Sequence, residues 1–214
     1  MNKKTLNLAT VAVLALSLSS ILLLQGCSNG TNSSDAIQSE YKTATAGYLN
    51  DLQAKLTKLG DFSLADKTVL KDKQKMTDAK TIVEGTIQAD TELFDAMKGK
   101  IDELKSKNIG SKEASSELQK AYDALTKDFQ DLKDLDKKRG EAMTAYLDFA
   151  IVNGADMNID GDNVYLKTAD FSKQYAALEK AAKDNQQGFN FEQSTLFTRH
   201  DTDLKAFADA LAKM

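Results

Sequence analysis

Apolar residues recur every three or four positions along most of the chain, which is the period of an α-helix with one buried face. Four such stripes are separated by glycines or polar turns, and they cover residues 37–59, 64–104, 111–150 and 168 or 170 to near the C-terminus. The sequence contains no proline, which favours long uninterrupted helices. The pattern predicts an all-α fold, an elongated bundle of about four long helices.

The third stripe advances from Leu118 in the alternating steps of four and three that are typical of coiled coils, and then reaches two charged residues, Asp136 and Arg139. Buried charges are unfavourable unless they are paired, so these residues are candidates for function. The alternative is structural. Residues three apart on a helix can form an ion pair, and Leu135 can carry the apolar face past them where Gly140 permits a bend. We favour the structural interpretation.

The segment NGADMNIDGDNVYLKTAD contains the first half of a calcium-binding loop. Asp156, Asn158, Asp160 and Gly161 match the first ligand positions and the invariant glycine of a twelve-residue loop. The match ends there, because Lys167 occupies the position at which such a loop needs a bidentate carboxylate. This pattern alone does not predict a dedicated calcium site.

The same segment also has the pattern of two short strands. Met157 alternates with Ile159, and Val164 alternates with Leu166, on either side of the turn-forming sequence DGDN. We therefore predict a short β-hairpin between the last two helices. Any cation site in the loop over 156–162 is expected to be weak.

The N-terminus has the form of a bacterial lipoprotein signal. Lys3 and Lys4 precede a long apolar run that ends in LQGC, and this order is typical of a secretory signal. The run alone would also suit a membrane-spanning anchor. However, Gly26 stands directly before Cys27, the single cysteine of the sequence, as in the lipobox at which such signals are cleaved and the thiol is acylated. We predict lipidation of Cys27, with palmitate-type chains holding the protein to a membrane.

This assignment divides the chain into three parts. Residues 1–26 are the lipoprotein signal peptide, residues 27–34 are the lipidated cysteine and a flexible polar tether, and residues 35–214 are one helical domain. Because the cysteine carries lipid, we expect no disulfide and no free thiol. The predicted location is the bacterial cell envelope, on the outer membrane facing the periplasm or on the outer face of the cell membrane.

The charge of the chain restricts its partners. The formal net charge is −4, and removal of Lys3 and Lys4 with the signal makes the mature protein two charges more acidic. An acidic body is unsuited to binding nucleic acid, and anionic headgroups do not attract it. We therefore expect no nucleic-acid partner and a membrane contact that depends on the lipid anchor.

Residues typical of catalysis and metal binding are sparse. His200, the single histidine, lies in TRHDTD, and we expect it to be solvated at the edge of the last stripe. The sequence has no GxSxG elbow, no cysteine and histidine spacing for zinc, and no glycine-rich phosphate loop. We predict that the protein is not an enzyme and has no catalytic residue, cofactor or metal site.

The stretch YLDFAIVNGADMNIDGDNVYLKTADFSKQYAAL resembles the C-terminal part of the YiaF-like bacterial lipoproteins, a family of unknown function. The shared features are the lipobox, a helix entering a polar glycine turn, paired short strands, and a last helix that carries a tyrosine such as Tyr175. The resemblance covers nearly the whole mature chain, although the segment after Gly188 is longer than in the family pattern. It implies an envelope lipoprotein with a helical body and a hairpin, and it brings no catalytic residue.

Two functions of different classes fit these observations. The first is a membrane-anchored envelope lipoprotein with a structural or protein-interaction role and an envelope protein as partner. The second is a helical module that binds a small apolar ligand, or weakly holds a cation at the hairpin. An internal cavity with converging polar groups would favour the second.

Overall fold

The computed structural model describes residues 67–107 and 112–214, together with Asn50 and Ala54. This part of the chain is mostly helical and has three long α-helices: α1 at Lys73–Lys107, α2 at Lys112–Asn153 and α3 at Ala169–Leu211. Two short 3₁₀ helices flank them, one at Lys67–Lys71 before α1 and one at Gly154–Asp156 after α2. The prediction of a mostly all-α fold is confirmed.

The predicted number of about four long helices is wrong for the described residues, which contain three. The second, third and fourth stripes of the sequence correspond to α1, α2 and α3. The first stripe, over 37–59, lies outside the described residues. So do the predicted signal peptide 1–26, the tether 27–34 and the lipidation site Cys27.

Short polar side chains define where two of the helices begin. The Oδ1 atom of Asp72 accepts a 3.0 Å hydrogen bond from the backbone N–H of Lys75, so α1 begins after Asp72 and the residues before it form the separate 3₁₀ helix. At α3, Thr168 Oγ1 accepts a 3.2 Å hydrogen bond from the backbone N–H of Phe171. Such caps satisfy N–H groups that have no partner in the first helical turn. The predicted start of the last helix near Thr168 is confirmed.

The predicted β-hairpin is present directly before α3. Its strands are β1, Asn158–Asp160, and β2, Asn163–Tyr165, and they pair antiparallel with Ile159 opposite Val164. The two-residue turn contains Gly161 at φ +56°, a conformation that glycine adopts without strain. Ile159 and Val164 are partly buried and pack against the core, whereas their neighbours on the strands are exposed.

The described residues form two compact units, and each helix contributes a segment to both. Unit 1 contains residues 67–88 and 136–190, and unit 2 contains residues 89–107, 112–135 and 191–214. Each unit has its own apolar core. The largest fully buried apolar side chains are, in unit 1, Leu70, Met76, Met143, Tyr146, Leu147 and Met157, and in unit 2, Ile101, Leu125, Phe129 and Phe207.

The buried stripe of α2 does not shift at its charged residues. Asp136 and Arg139 occupy stripe positions and are only 4% and 2% exposed, whereas Leu135 is half-buried. The predicted transfer of the apolar face to Leu135 is therefore wrong. α2 continues unbroken through Gly140, where a Cβ would lie 1.9 Å from Cδ1 of Ile87. This glycine permits the close approach of Ile87.

Candidate functional site

The half calcium loop of the sequence lies in and next to the hairpin. Asp156 ends the second 3₁₀ helix, Asn158 and Asp160 lie in β1, and Gly161 is in the turn. The Nζ atom of Lys167 lies 2.6 Å from Oδ1 of Asp156, so the lysine at the missing ligand position pairs with the first carboxylate of the loop. A cation at this loop would have to displace the lysine. Among the described residues, no three or more His, Cys, Asp or Glu side chains are grouped so that they could hold a metal ion.

Asp136 and Arg139 form the ion pair that their spacing predicts. The guanidinium carbon of Arg139 also lies 4.5 Å from the centroid of the Phe189 ring in unit 1, an attractive cation–π arrangement. Both charged groups are buried, and each is the other's counter-ion. The pair therefore substitutes for apolar residues in the stripe of α2, which supports the structural interpretation.

Two tyrosines form a buried polar contact in unit 1. The hydroxyl oxygens of Tyr146 and Tyr175 are 3.2 Å apart, and burial raises the pKa of both, that of Tyr175 to about 12.

In the same unit, Glu179 accepts hydrogen bonds from Lys67 and, at 2.9 Å, from Lys183. Burial opposes ionisation of Glu179, but the two lysines outweigh it and lower the pKa of this carboxyl. The pair of Lys67 with Glu179 links the first 3₁₀ helix to α3.

The expectation that His200 is solvated is wrong. The side chain is 3% exposed, and its ring packs edge-on against Phe129 with ring centroids 4.9 Å apart. Burial, with a smaller effect from the positive charge of Arg199, lowers the pKa of His200 to about 4, so the imidazole is neutral at pH 7. The sequence spacing could have indicated that His200 is buried, because His200 lies one heptad before the buried Phe207 and therefore on the same helix face.

An acidic cluster in unit 2 connects α2 to α3. Asp128 is 1% exposed, and Arg199 donates one hydrogen bond from Nε to its Oδ1 atom and another, of 2.5 Å, from Nη2 to Asp131. Lys127 also donates to Asp131. Asp203 of α3 is near enough to Asp128 to influence its ionisation. The sequence analysis missed this cluster because its members come from two helices about seventy positions apart.

The pKa of Asp128 reflects these surroundings. Burial is the largest cause and raises the pKa, the carboxyl of Asp203 raises it further, and Arg199 acts in the opposite direction. The result is a pKa of about 6, well above the usual range of an aspartate. Asp128 can therefore change its protonation state near neutral pH.

One solvent-exposed stretch of α3, between Asp184 and Lys205 on the same helix face, carries no charge. Phe191 is 80% exposed, and Thr195, Thr198 and Thr202 follow it at steps of four, three and four, which places them on the same exposed face. The hydroxyls of Thr198 and Thr202 each donate a 2.9 Å hydrogen bond to the backbone carbonyl four residues earlier. We call these four residues the threonine face. The sequence analysis missed it because that analysis followed the buried stripes.

No protein-family model matches the chain, no curated protein is significantly similar in sequence, and no solved structure is significantly similar in fold. The resemblance to the YiaF-like lipoproteins therefore stays a prediction. Within residues 67–107 and 112–214, no helix combines the length and the apolar character needed to cross a membrane.

Proposed function

We propose that the protein is a lipid-anchored lipoprotein of the bacterial cell envelope that binds another envelope protein through the threonine face. The anchor is supported by the signal-like N-terminus that ends in LQGC at Cys27. The binding role is supported by one observation above all, the exposure of Phe191 in a stretch of α3 whose exposed face carries no charge as far as Thr202.

The threonine face has the properties of a protein-binding surface. Transfer of an exposed phenylalanine into an apolar pocket contributes about 1.5–3 kcal/mol, and aromatic anchors often dominate binding energy at interfaces. The hydroxyl protons of Thr198 and Thr202 already have acceptors within α3, which lowers the cost of removing water from this face. The partner we propose is a protein with an apolar pocket that accepts Phe191.

The first prediction concerns this partner. A photoreactive benzoylphenylalanine at position 191 of the full chain is expected to crosslink one defined envelope protein in living cells. The purified partner should bind the wild-type protein, and Phe191→Ser should weaken that affinity by at least about tenfold, because burial of one phenylalanine contributes about 1.5–3 kcal/mol and about 1.4 kcal/mol corresponds to a tenfold change. Mass spectrometry of the crosslinked product and titration of the purified pair measure these two results.

The control uses Tyr165, an exposed aromatic residue of the hairpin in unit 1. The photoreactive group at position 165 should not give the same product, and Tyr165→Ser should leave the affinity unchanged. If position 191 crosslinks only to lipid, or only to a second copy of this chain, the proposed role in binding another envelope protein is wrong.

The second prediction concerns the anchor. Cys27→Ser removes the thiol that would be acylated, so the variant is expected to accumulate as unlipidated precursor or to appear as soluble protein. Metabolic labelling with a palmitate analogue and fractionation of the membranes measure both effects. Gln25→Asn, which leaves Gly26 and Cys27 in place, serves as a control and should be labelled normally. A processed Cys27→Ser variant that still sediments with membranes would contradict the anchor.

The alternative from the sequence, a ligand-binding helical module, is not favoured by the described residues. At the hairpin, the ion pair between Lys167 and Asp156 occupies the position where a cation would bind. In the cores, the buried carboxylates of Asp136 and Asp128 each have an arginine counter-ion, Arg139 and Arg199. We therefore propose protein interaction, and not ligand binding, as the role of the helical domain.

A further inference from the structure

The end of α2 carries a pair of residues, Asn153–Gly154, of the kind at which proteins deamidate readily. Glycine has no side chain to shield its backbone nitrogen, so this nitrogen can attack the side-chain carbonyl carbon of the asparagine before it. The reaction needs no catalyst and no reactant other than water. A second such pair, Asn29–Gly30, lies in the predicted tether and outside the described residues.

The conformation of Asn153 opposes this attack. At its ψ of −5°, the nitrogen of Gly154 eclipses the nitrogen of Asn153 and is turned away from the Asn153 side chain. The side-chain nitrogen Nδ2 donates a 2.9 Å hydrogen bond to the backbone carbonyl of Phe149, about one turn earlier in α2. Ring closure therefore requires a rotation about the Cα–C bond of Asn153 and the loss of this hydrogen bond.

The packing of Gly154 opposes that rotation. Gly154 is buried, and a Cβ on it would lie 2.0 Å from the carbonyl oxygen of Leu70, so its backbone lies directly against the first 3₁₀ helix. Its own carbonyl oxygen accepts a 3.2 Å hydrogen bond from the backbone N–H of Met157. Leu70 and Met157 both belong to the apolar core of unit 1. The glycine can therefore turn only when this contact opens.

We propose that Asn153 is a latent deamidation site that records the opening of unit 1 covalently. While Gly154 lies against Leu70, the reaction is blocked. When the contact between Gly154 and the first 3₁₀ helix opens, Asn153 is converted to aspartate or isoaspartate. The converted unit then closes less stably than before, so the change is irreversible.

The reaction has two steps and balances with water alone. The nitrogen of Gly154 forms a bond to Cγ of Asn153 and gives up its proton, while Nδ2 of Asn153 takes up a proton and leaves as ammonia. The product is a cyclic imide. Water then adds to one of the two imide carbonyls and breaks its bond to nitrogen, which leaves either aspartate or isoaspartate at position 153.

Both products disturb the end of α2. Aspartate has no N–H to donate to the carbonyl of Phe149, and it adds a negative charge at the C-terminus of a helix, where the helix dipole disfavours an anion. Isoaspartate runs the main chain through the side-chain carbon, which adds one backbone atom before Gly154. The carbonyl oxygen of Leu70 leaves no room for even a Cβ there, so the longer backbone cannot keep this contact.

The first test compares the two Asn–Gly pairs within one molecule. The full chain in detergent micelles is incubated at mildly alkaline pH, and mass spectrometry of a protease digest measures the conversion of amide to acid at each pair. In the folded protein, Asn153 is expected to react at least about tenfold more slowly than Asn29, because only the opened fraction reacts. In urea, the two asparagines should react at similar rates.

The second test opens the contact by mutation. The side chain of Leu70 is 1% exposed, and Leu70→Ala weakens the core that holds the first 3₁₀ helix, so Asn153 should react at least about tenfold faster than in the wild type. The matched control Leu125→Ala truncates a fully buried leucine in the core of unit 2. It should leave the rate at Asn153 unchanged.

The third test measures the effect of one product. Asn153→Asp is expected to raise the equilibrium constant for unfolding by about fivefold or more, because a hydrogen bond is lost and a charge opposes the helix dipole. A denaturant titration of the full chain measures this change. The control Asn158→Asp adds the same charge at an exposed position of β1 and should leave the equilibrium constant nearly unchanged.

The wild-type comparison decides the proposal even if Leu70→Ala does not fold. Equal rates at Asn153 and Asn29 in the folded protein would overturn it, and so would a rate at Asn153 that urea leaves unchanged. Equal acceleration by Leu70→Ala and Leu125→Ala would show that the contact of Gly154 with Leu70 does not control the reaction. An Asn153→Asp variant as stable as the wild type would contradict the irreversible step.

Discussion

Gly154→Ala is expected to destabilise unit 1 by about 3 kcal/mol or more. The added Cβ would lie 2.0 Å from the carbonyl oxygen of Leu70 and 3.1 Å from its carbonyl carbon. Both are backbone atoms, so no side-chain rotation relieves the clash. The first 3₁₀ helix cannot easily move away, because Leu70 is buried in the core and Lys67 is paired with Glu179.

Thermal and denaturant unfolding of the full chain in mild detergent, followed by circular dichroism, measures this loss. The control is Gly188→Ala, since a Cβ at position 188 in α3 meets nothing within 4 Å. Alanine is the better helix former by up to about 1 kcal/mol, so this control should be as stable as the wild type or more stable. A Gly154→Ala variant within about 1 kcal/mol of the wild type would show that the two 3₁₀ helices separate easily.

Arg139→Met is expected to cost about 3–5 kcal/mol, because it leaves the carboxylate of Asp136 buried without its counter-ion. Methionine fills a similar volume and can contact the Phe189 ring through its sulfur, so lost packing is a small part of the effect. The free energy of unfolding from a denaturant titration at pH 7 measures the loss.

The matched control is the double variant Asp136→Leu with Arg139→Met, which removes both charges from the stripe of α2. Replacement of a buried ion pair by apolar residues of similar volume is often neutral or stabilising, so the double variant should recover most of the stability that the single variant loses. If both variants are equally unstable, the cost lies in packing against Phe189, and the ion pair is not its cause.

The long helical segments over the described residues, the start of the last helix near Thr168 or Asp170 and the hairpin before α3 could be predicted because their causes are local. Helical periodicity, a threonine before a helix and the sequence DGDN each act within a few residues along the chain. The ion pair of Asp136 and Arg139 could be predicted for the same reason, because the two residues lie about one helical turn apart.

The expectations for Leu135 and His200 failed for a different reason. Each residue was assigned by its chemical type, as an apolar residue that turns inward and a histidine that stays solvated. Burial is decided by the helix face, and the steps of four and three place Asp136, Arg139 and His200 inside whatever their polarity. Asp136 and Arg139 are buried as each other's counter-ions, and His200 is buried in its neutral form.

For the residues that the structure describes, the sequence by itself determined the long helical segments and the place where the hairpin turns. Only the tertiary structure decided that the Asp128 carboxyl pairs with Arg199, and that Gly154 lies against the backbone of Leu70. These residues are far apart along the chain, and no periodic pattern links them. Their meeting depends on how the faces of separate elements pack in each unit, where side-chain shape and the cost of burying charge select the neighbours.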